Sequence, residues 1–93
     1  MRAVDLTYPP QDPTKQLEHV CEQVDATLGP STKLASYPGA QHWHISKHRV
    51  KGTLEATWWP SKQRFWLKVA TNRDADWIAS AIEAIELHFR DRK

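Results

Sequence analysis

Apolar residues follow two different spacings along this chain, and the two spacings predict two kinds of structural element. Near each end of the chain they recur every three or four positions, as they do along one side of an α-helix. In the middle they recur at every second position, which is typical of strands with one buried face. The pattern therefore predicts an α+β fold with the element order α-β-β-β-α.

The two predicted helices carry one apolar stripe each. The first is predicted to begin at Asp12, which can cap a helix, and to end before Gly29. Its stripe comprises Leu17, Val20, Cys21, Val24 and Leu28. The last helix is predicted to run from about Asn72 to Arg90. Its stripe comprises Ala75, Ile78, Ile82, Ile85 and Phe89.

Three segments alternate as strands, namely residues 41–46, 49–59 and 64–70, and residues 60–63 are predicted to form a hairpin loop. One side of these strands is apolar and comprises Trp43, Ile45, Leu54, Ala56, Trp58, Phe65, Leu67 and Val69. Packing both helices on this side buries every apolar stripe at once. We therefore predict a three-stranded antiparallel sheet whose opposite face is open.

The length of 93 residues suits one small domain. We predict residues 1–11, which contain a Pro-Pro pair, to be an extended N-terminal arm, and residues 12–93 to be a single α+β domain. No apolar run approaches the roughly 18–20 residues that span a bilayer, and the first residues lack the apolar stretch of a secretory signal. The single cysteine, Cys21, excludes an internal disulfide framework. These features predict a soluble cytoplasmic protein with no membrane contact.

Positive charge is concentrated in the middle of the chain. Residues 31–73 contain eight lysines and arginines and only one acidic residue, Glu55, which gives a balance of +7. The segments before and after this block have balances of −3 and −2. Such an asymmetry indicates an anionic partner for the middle block.

The open face of the predicted sheet combines these cations with tryptophans. Bases stack on aromatic rings for about 1–3 kcal/mol each, and lysine and arginine neutralise phosphates. We therefore predict a small non-catalytic module that binds nucleic acid, single-stranded or structured, through this face. The predicted contact residues are Trp59, Trp66, Arg64, Lys68, Arg49, Lys51, Lys62, His42 and His44.

Two alternatives to nucleic-acid binding remain open. Tryptophan and arginine are also common anchors of protein interfaces, so the same face can hold a protein partner or a second copy of the chain. It can also be a solvated face with a purely structural role. The predicted element order resembles that of double-stranded RNA-binding domains, which grip phosphates with a lysine cluster at the start of their second helix. Here that stretch has one cation, Arg73, and two acids, Asp74 and Asp76, so duplex binding through this helix is not expected.

The spacing His42-x-His44 places two imidazoles on one face of a strand, where they can ligate a metal if a third ligand is nearby. Glu55 is the only acidic residue predicted on that face. We favour surface histidines instead, and predict neither a metal site nor a cofactor. Cys21 lies on an apolar stripe and is predicted to be a buried thiol. The chain contains no catalytic triad order, phosphate loop, CxxC pair or HExxH motif, so no enzymatic activity is predicted.

Overall fold

A computed structural model, which describes residues 2–90, has an α+β fold with two helices and one antiparallel sheet. The strands are β1 (Arg2–Asp5), β2 (Thr27–Leu28), β3 (Gln41–Lys47), β4 (Val50–Trp59) and β5 (Arg64–Val69). The helices are α1 (Thr14–Gln23) and α2 (Asp76–Phe89), and short 3₁₀ turns follow β4 and β5 at Pro60–Lys62 and Thr71–Arg73. The strands lie in the order β1-β5-β4-β3-β2. Residue 1 of the predicted arm and residues 91–93 of the predicted domain lie outside the described residues.

The predicted number of strands, three, is wrong, because the sheet has five. Strand β1 lies within the predicted arm and pairs with β5, with Val4 opposite Leu67. Only Val4 among its four residues is partly buried, so β1 has no alternation that a sequence pattern can reveal. Strand β2 has two residues, which is too short for any period. Both extra strands lie at the edges of the sheet, where backbone pairing rather than side-chain burial holds them.

Helix α1 ends well before the predicted stop at Gly29. Asp25 adopts a left-handed conformation with φ 57°, which aspartate tolerates better than most residues. The N–H of Ala26 then donates to the carbonyl of Cys21 at 2.8 Å and closes the helix. Leu28, predicted on the helical stripe, instead belongs to β2. Leu28 fits the helical spacing as well as it fits a strand. The left-handed conformation of Asp25, which ends the helix before it, produces no pattern of apolar residues in the sequence.

Helix α2 starts later than the predicted Asn72. The residues before it form the 3₁₀ turn, and Asp74 accepts a hydrogen bond from the N–H of Ala75 at 2.8 Å. The indole of Trp77 donates to the carbonyl of Lys51 at 2.6 Å and so ties the helix start to β4. Between residues 2 and 90, neither helix is long and apolar enough to cross a membrane.

One core joins both helices to a single face of the sheet, which we call the helix-side face. Its eight predicted sheet residues are all buried, so the alternation assigned that face correctly. Cys21 is buried there as predicted, and burial raises the pKa of its thiol to about 11. Gly52 lets α2 approach β4, since a Cβ atom at this position would lie 2.8 Å from the Cβ of Ala75.

The chain between β1 and α1 continues along the helix-side face. The N–H of Leu6 donates to the carbonyl of Phe65 at 2.9 Å. Tyr8 stacks on Trp58 with ring centroids 6.3 Å apart, and the Trp58 indole donates to the carbonyl of Pro9 at 3.0 Å. This segment therefore does not cover the other face of the sheet.

Candidate nucleic-acid interface

The sheet face opposite the helices, here called the second face, brings three of the predicted contact residues together by strand register, namely Trp59, Arg64 and Trp66. Across β4 and β5, Trp59 pairs with Arg64 and Thr57 pairs with Trp66. Directly paired residues in antiparallel strands lie within side-chain contact. The register therefore gathers the tryptophans and Arg64 at one end of the face.

The second face is not fully open, because residues 29–40, here called the covering loop, run across it. Thr32 pairs with His42 through two backbone hydrogen bonds, which lays the loop along the outer side of β3. Tyr37 then reaches both outer tryptophans, with ring centroids 4.9 Å from Trp59 and 5.4 Å from Trp66. The expectation of an open face is therefore wrong at the end that carries Trp59 and Trp66, because Tyr37 of the loop packs on these two rings.

The three rings form an edge-to-face cluster, which we call the aromatic cluster. Trp59 and Trp66 lie 6.5 Å apart with an interplanar angle of 66°, an arrangement that the ring quadrupoles favour. The Trp59 indole donates to the carbonyl of Pro38 at 2.9 Å. Trp66 is only 9% exposed, whereas Trp59 is partly exposed. The two tryptophans therefore differ in how much ring a partner can reach.

A guanidinium group completes the aromatic cluster. The Cζ of Arg64 lies 4.7 Å from the centroid of the Trp66 ring, within the range of a cation–π contact. One Nη of Arg64 also lies 3.5 Å from a carboxylate oxygen of Asp5 on β1. Both partners of that ion pair are exposed, so it contributes little stability.

The other predicted cations lie apart from one another. Lys62 is exposed on the 3₁₀ turn next to the aromatic cluster, and Lys68 is half-buried on β5. Lys51 is exposed at the far end of β4. Arg49, predicted within a strand, instead occupies the turn between β3 and β4 with φ 61°. Arg64 and Lys68 therefore flank Trp66 on β5 and Lys62 lies on the turn after Trp59, whereas Lys51 and Arg49 lie at the other end of the face.

Polar side chains form a second group on the same face, next to the aromatic cluster. His42 is 5% exposed, its Nδ1 lies 2.8 Å from Oγ1 of Thr57, and its Nε2 lies 3.1 Å from Oε1 of Glu55. Burial lowers the pKa of the His42 imidazole, and the negative charge of Glu55 opposes that effect. The distances fit a neutral ring whose Nε2–H donates to Glu55 while the Thr57 hydroxyl donates to Nδ1.

His44 lies next to this group but remains exposed. Its ring centroid is 5.0 Å from that of His42, and it pairs with Glu55 across β3 and β4. The structure thus places one predicted histidine inside the face and one at its surface. His42 is therefore poorly placed to meet a phosphate.

Sequence reasoning did not single out Tyr37 or Thr57. Tyr37 is the only aromatic residue of the covering loop and stands before a Pro-Gly pair, which is the one signal that marks it. Thr57 is an ordinary strand residue whose role appears only through its hydrogen bond to His42. Comparisons with protein-family models, with curated proteins and with solved structures found no match to this chain.

Proposed function

We propose that this protein is a small non-catalytic module that binds single-stranded nucleic acid at the aromatic cluster. The observation that carries the proposal is the contact of the Arg64 guanidinium with the Trp66 ring, inside a cluster of three aromatic rings. Single-strand binding sites combine rings that stack on bases with cations that follow the phosphates. Both components are present within one end of the second face.

The two tryptophans take different roles in this proposal. Trp59 is partly exposed, so a base can stack on it without displacing the covering loop. Trp66 is nearly buried and holds Trp59, Tyr37 and Arg64 in place from beneath. We therefore assign base stacking to Trp59 and support to Trp66.

The cations divide in the same way. Arg64 and Lys62 are exposed beside the rings and are the proposed phosphate contacts for a strand stacked on Trp59. Lys68, Lys51 and Arg49 continue the positive charge toward the β3–β4 turn and extend the path of the strand. Asp5 competes with phosphate for Arg64, because its carboxylate already lies 3.5 Å from the guanidinium.

The test is a titration of tryptophan fluorescence with a short single-stranded oligonucleotide at two salt concentrations. We expect quenching, with affinity that falls as salt rises, because binding releases counterions. Trp59→Ala is expected to weaken binding by about 1–3 kcal/mol through the loss of stacking. Arg64→Gln is expected to weaken binding and to reduce the salt slope by about 0.7. Asp5→Asn is expected to strengthen binding.

Lys15→Gln is the matched control, since Lys15 is exposed on α1, behind the opposite face of the sheet. Like Arg64→Gln, it removes one positive charge, but it is expected to leave the affinity and the salt slope unchanged. Absence of quenching at low salt with a folded monomer contradicts the proposal. A mass that rises with protein concentration and returns to the monomer value in Trp59→Ala points instead to self-association through this face, the protein-interaction alternative.

A further inference from the structure

Three side chains with metal-binding atoms converge beside the aromatic cluster. They are His42 and His44 on β3 and Glu55 on β4, and one ligand atom from each lies within 4.8 Å of the others. We propose that these three residues bind a divalent transition-metal ion, with Zn²⁺ as the best fit. This site is independent of the nucleic-acid proposal, because its three ligands are not among the residues to which that proposal assigns base stacking or phosphate contacts.

The convergence follows from strand geometry. His42 and His44 are two residues apart on one strand, so both side chains point to the second face. Glu55 is the direct register partner of His44 on the neighbouring strand. Backbone pairing of β3 with β4 fixes all three Cα positions, and only side-chain rotation is needed to form the site.

The distances come close to those of a tetrahedral site. Zn–N and Zn–O bonds of about 2.0–2.1 Å place neighbouring ligand atoms about 3.3 Å apart. His42 Nε2 and Glu55 Oε1 already lie 3.1 Å apart. A ring nitrogen of His44 lies within 4.8 Å of a ligand atom of each of the other two residues, so it has to approach by at most roughly 1.5 Å. His44 is exposed, and its ring is free to make that movement.

The surroundings of His42 favour metal binding. Metal-ligating histidines usually make a hydrogen bond through the other ring nitrogen, which fixes the tautomer and the ring orientation. Here Nδ1 of His42 lies 2.8 Å from the Thr57 hydroxyl, and a hydroxyl can accept from Nδ1–H when Nε2 binds the ion. Thr57 is itself 2% exposed, so this partner is held firmly.

Two imidazoles and one carboxylate leave a fourth position on Zn²⁺ for a water molecule or a small anion. His42 and Glu55 both line a pocket of about 290 Å³ beneath the covering loop, and Trp66 and Lys68 line it as well. The pocket therefore has room for such a ligand. Lys68 adds a positive charge that opposes the binding of a cation, so Lys68→Gln is expected to raise the affinity about threefold.

The test is a calorimetric titration of tag-free protein with zinc chloride, repeated with Co²⁺ so that the visible absorption bands report the coordination number. We expect one ion per chain and reversal by a chelator. His44→Ala and Glu55→Gln are expected to weaken binding at least tenfold. His44 is exposed, so its replacement leaves the core intact, which circular dichroism checks.

His48→Ala is the matched control, because His48 is exposed on the β3–β4 turn outside the three-residue group. It is expected to bind zinc as the unaltered protein does. The imidazole NMR signals of His42 and His44 are expected to move on titration, and those of His19 to stay. The proposal is overturned if the folded protein shows no saturable binding, or if His48→Ala weakens binding as much as His44→Ala does.

Discussion

The two faces of the sheet are covered in opposite ways. The helix-side face is sealed by α1 and α2 with apolar side chains, and its central residues have almost no exposure. The second face is covered at one end by a single loop, through ring edges and hydrogen bonds to Trp59 and His42. Apolar burial is the dominant favourable contribution to folding. We therefore expect the helix-side face to determine stability and the second face to determine binding.

The largest expected effect on stability comes from comparing substitutions at two adjacent residues of β4 that point to opposite faces. Leu54 is completely buried on the helix-side face, and Leu54→Ala is expected to lower the free energy of unfolding by about 3 kcal/mol through lost burial and a cavity. Thr53 points to the second face and is half-buried, so Thr53→Ala is expected to cost less than about 1 kcal/mol. Urea denaturation measures both. Equal losses would contradict the division of roles between the faces.

Two glycines sharpen the comparison, because each adopts a positive φ next to a different cover. Gly52 faces α2 with φ 107°, and an added Cβ atom would meet Ala75, Trp77 and Ile78. Gly39 in the covering loop has φ 87° and nothing within 4 Å of an added Cβ atom. Backbone strain costs about 1 kcal/mol at each site. Gly52→Ala adds a clash and is expected to cost about 2–3 kcal/mol in total. Thermal denaturation that shows the same loss for both variants would mean that α2 does not pack tightly on β4.

A structural element of this protein could be predicted from the sequence where side-chain burial holds it, but not where backbone hydrogen bonds alone hold it. Alternation over β3, β4 and β5 assigned Trp58 inward and Trp59 outward correctly, because burial of one face imposes a period of two. Strands β1 and β2 escaped prediction, because edge strands are held by backbone pairing that leaves no side-chain period.

Some features of the candidate site could be predicted from the sequence pattern, and others arise only from the folded structure. Register made the neighbourhood of Trp59, Trp66 and Arg64 predictable. The position of Tyr37 was not predictable, since it depends on the path of a long loop whose residues follow no period. The approach of Glu55 to His42 required the register between two strands, which no single strand pattern provides.

Two tyrosines test whether the two covers respond independently. Tyr37 packs on Trp59 and Trp66 from the covering loop, and Tyr8 stacks on Trp58 from the segment after β1. Each substitution by alanine is expected to cost about 1 kcal/mol from lost ring contacts. Tyr37→Ala is expected to shift the indole N–H signals of Trp59 and Trp66 in NMR spectra, and Tyr8→Ala that of Trp58 alone. Shifts of all three signals in either variant would show that the faces are coupled.

The smallest expected effect concerns Asp12, which joins the start of α1 to the first residue of β3. Its carboxylate accepts hydrogen bonds from the N–H of Thr14 at 2.8 Å and from the side chain of Gln41 at 3.1 Å. The hydrogen bond with the Thr14 side chain is the largest factor that holds the pKa of Asp12 below its usual value. A lowered carboxyl pKa stabilises the folded state at pH values above the unfolded pKa, and that contribution is lost as the pH falls through the folded pKa.

Asp12→Asn keeps an acceptor for Thr14 but removes the charge, so the variant is expected to be about 0.5 kcal/mol less stable at pH 7, as befits an exposed group. Below the folded pKa of Asp12 both chains carry a neutral side chain here, and their stabilities are expected to converge. Urea denaturation at pH 7 and at successively lower pH values measures the difference, which is expected to shrink as Asp12 becomes protonated. A difference in the free energy of unfolding that stays constant with pH would contradict this prediction. It would mean that the charge of Asp12 does not stabilise the contact between the start of α1 and the first residue of β3, and that the hydrogen bonds alone hold these two elements together.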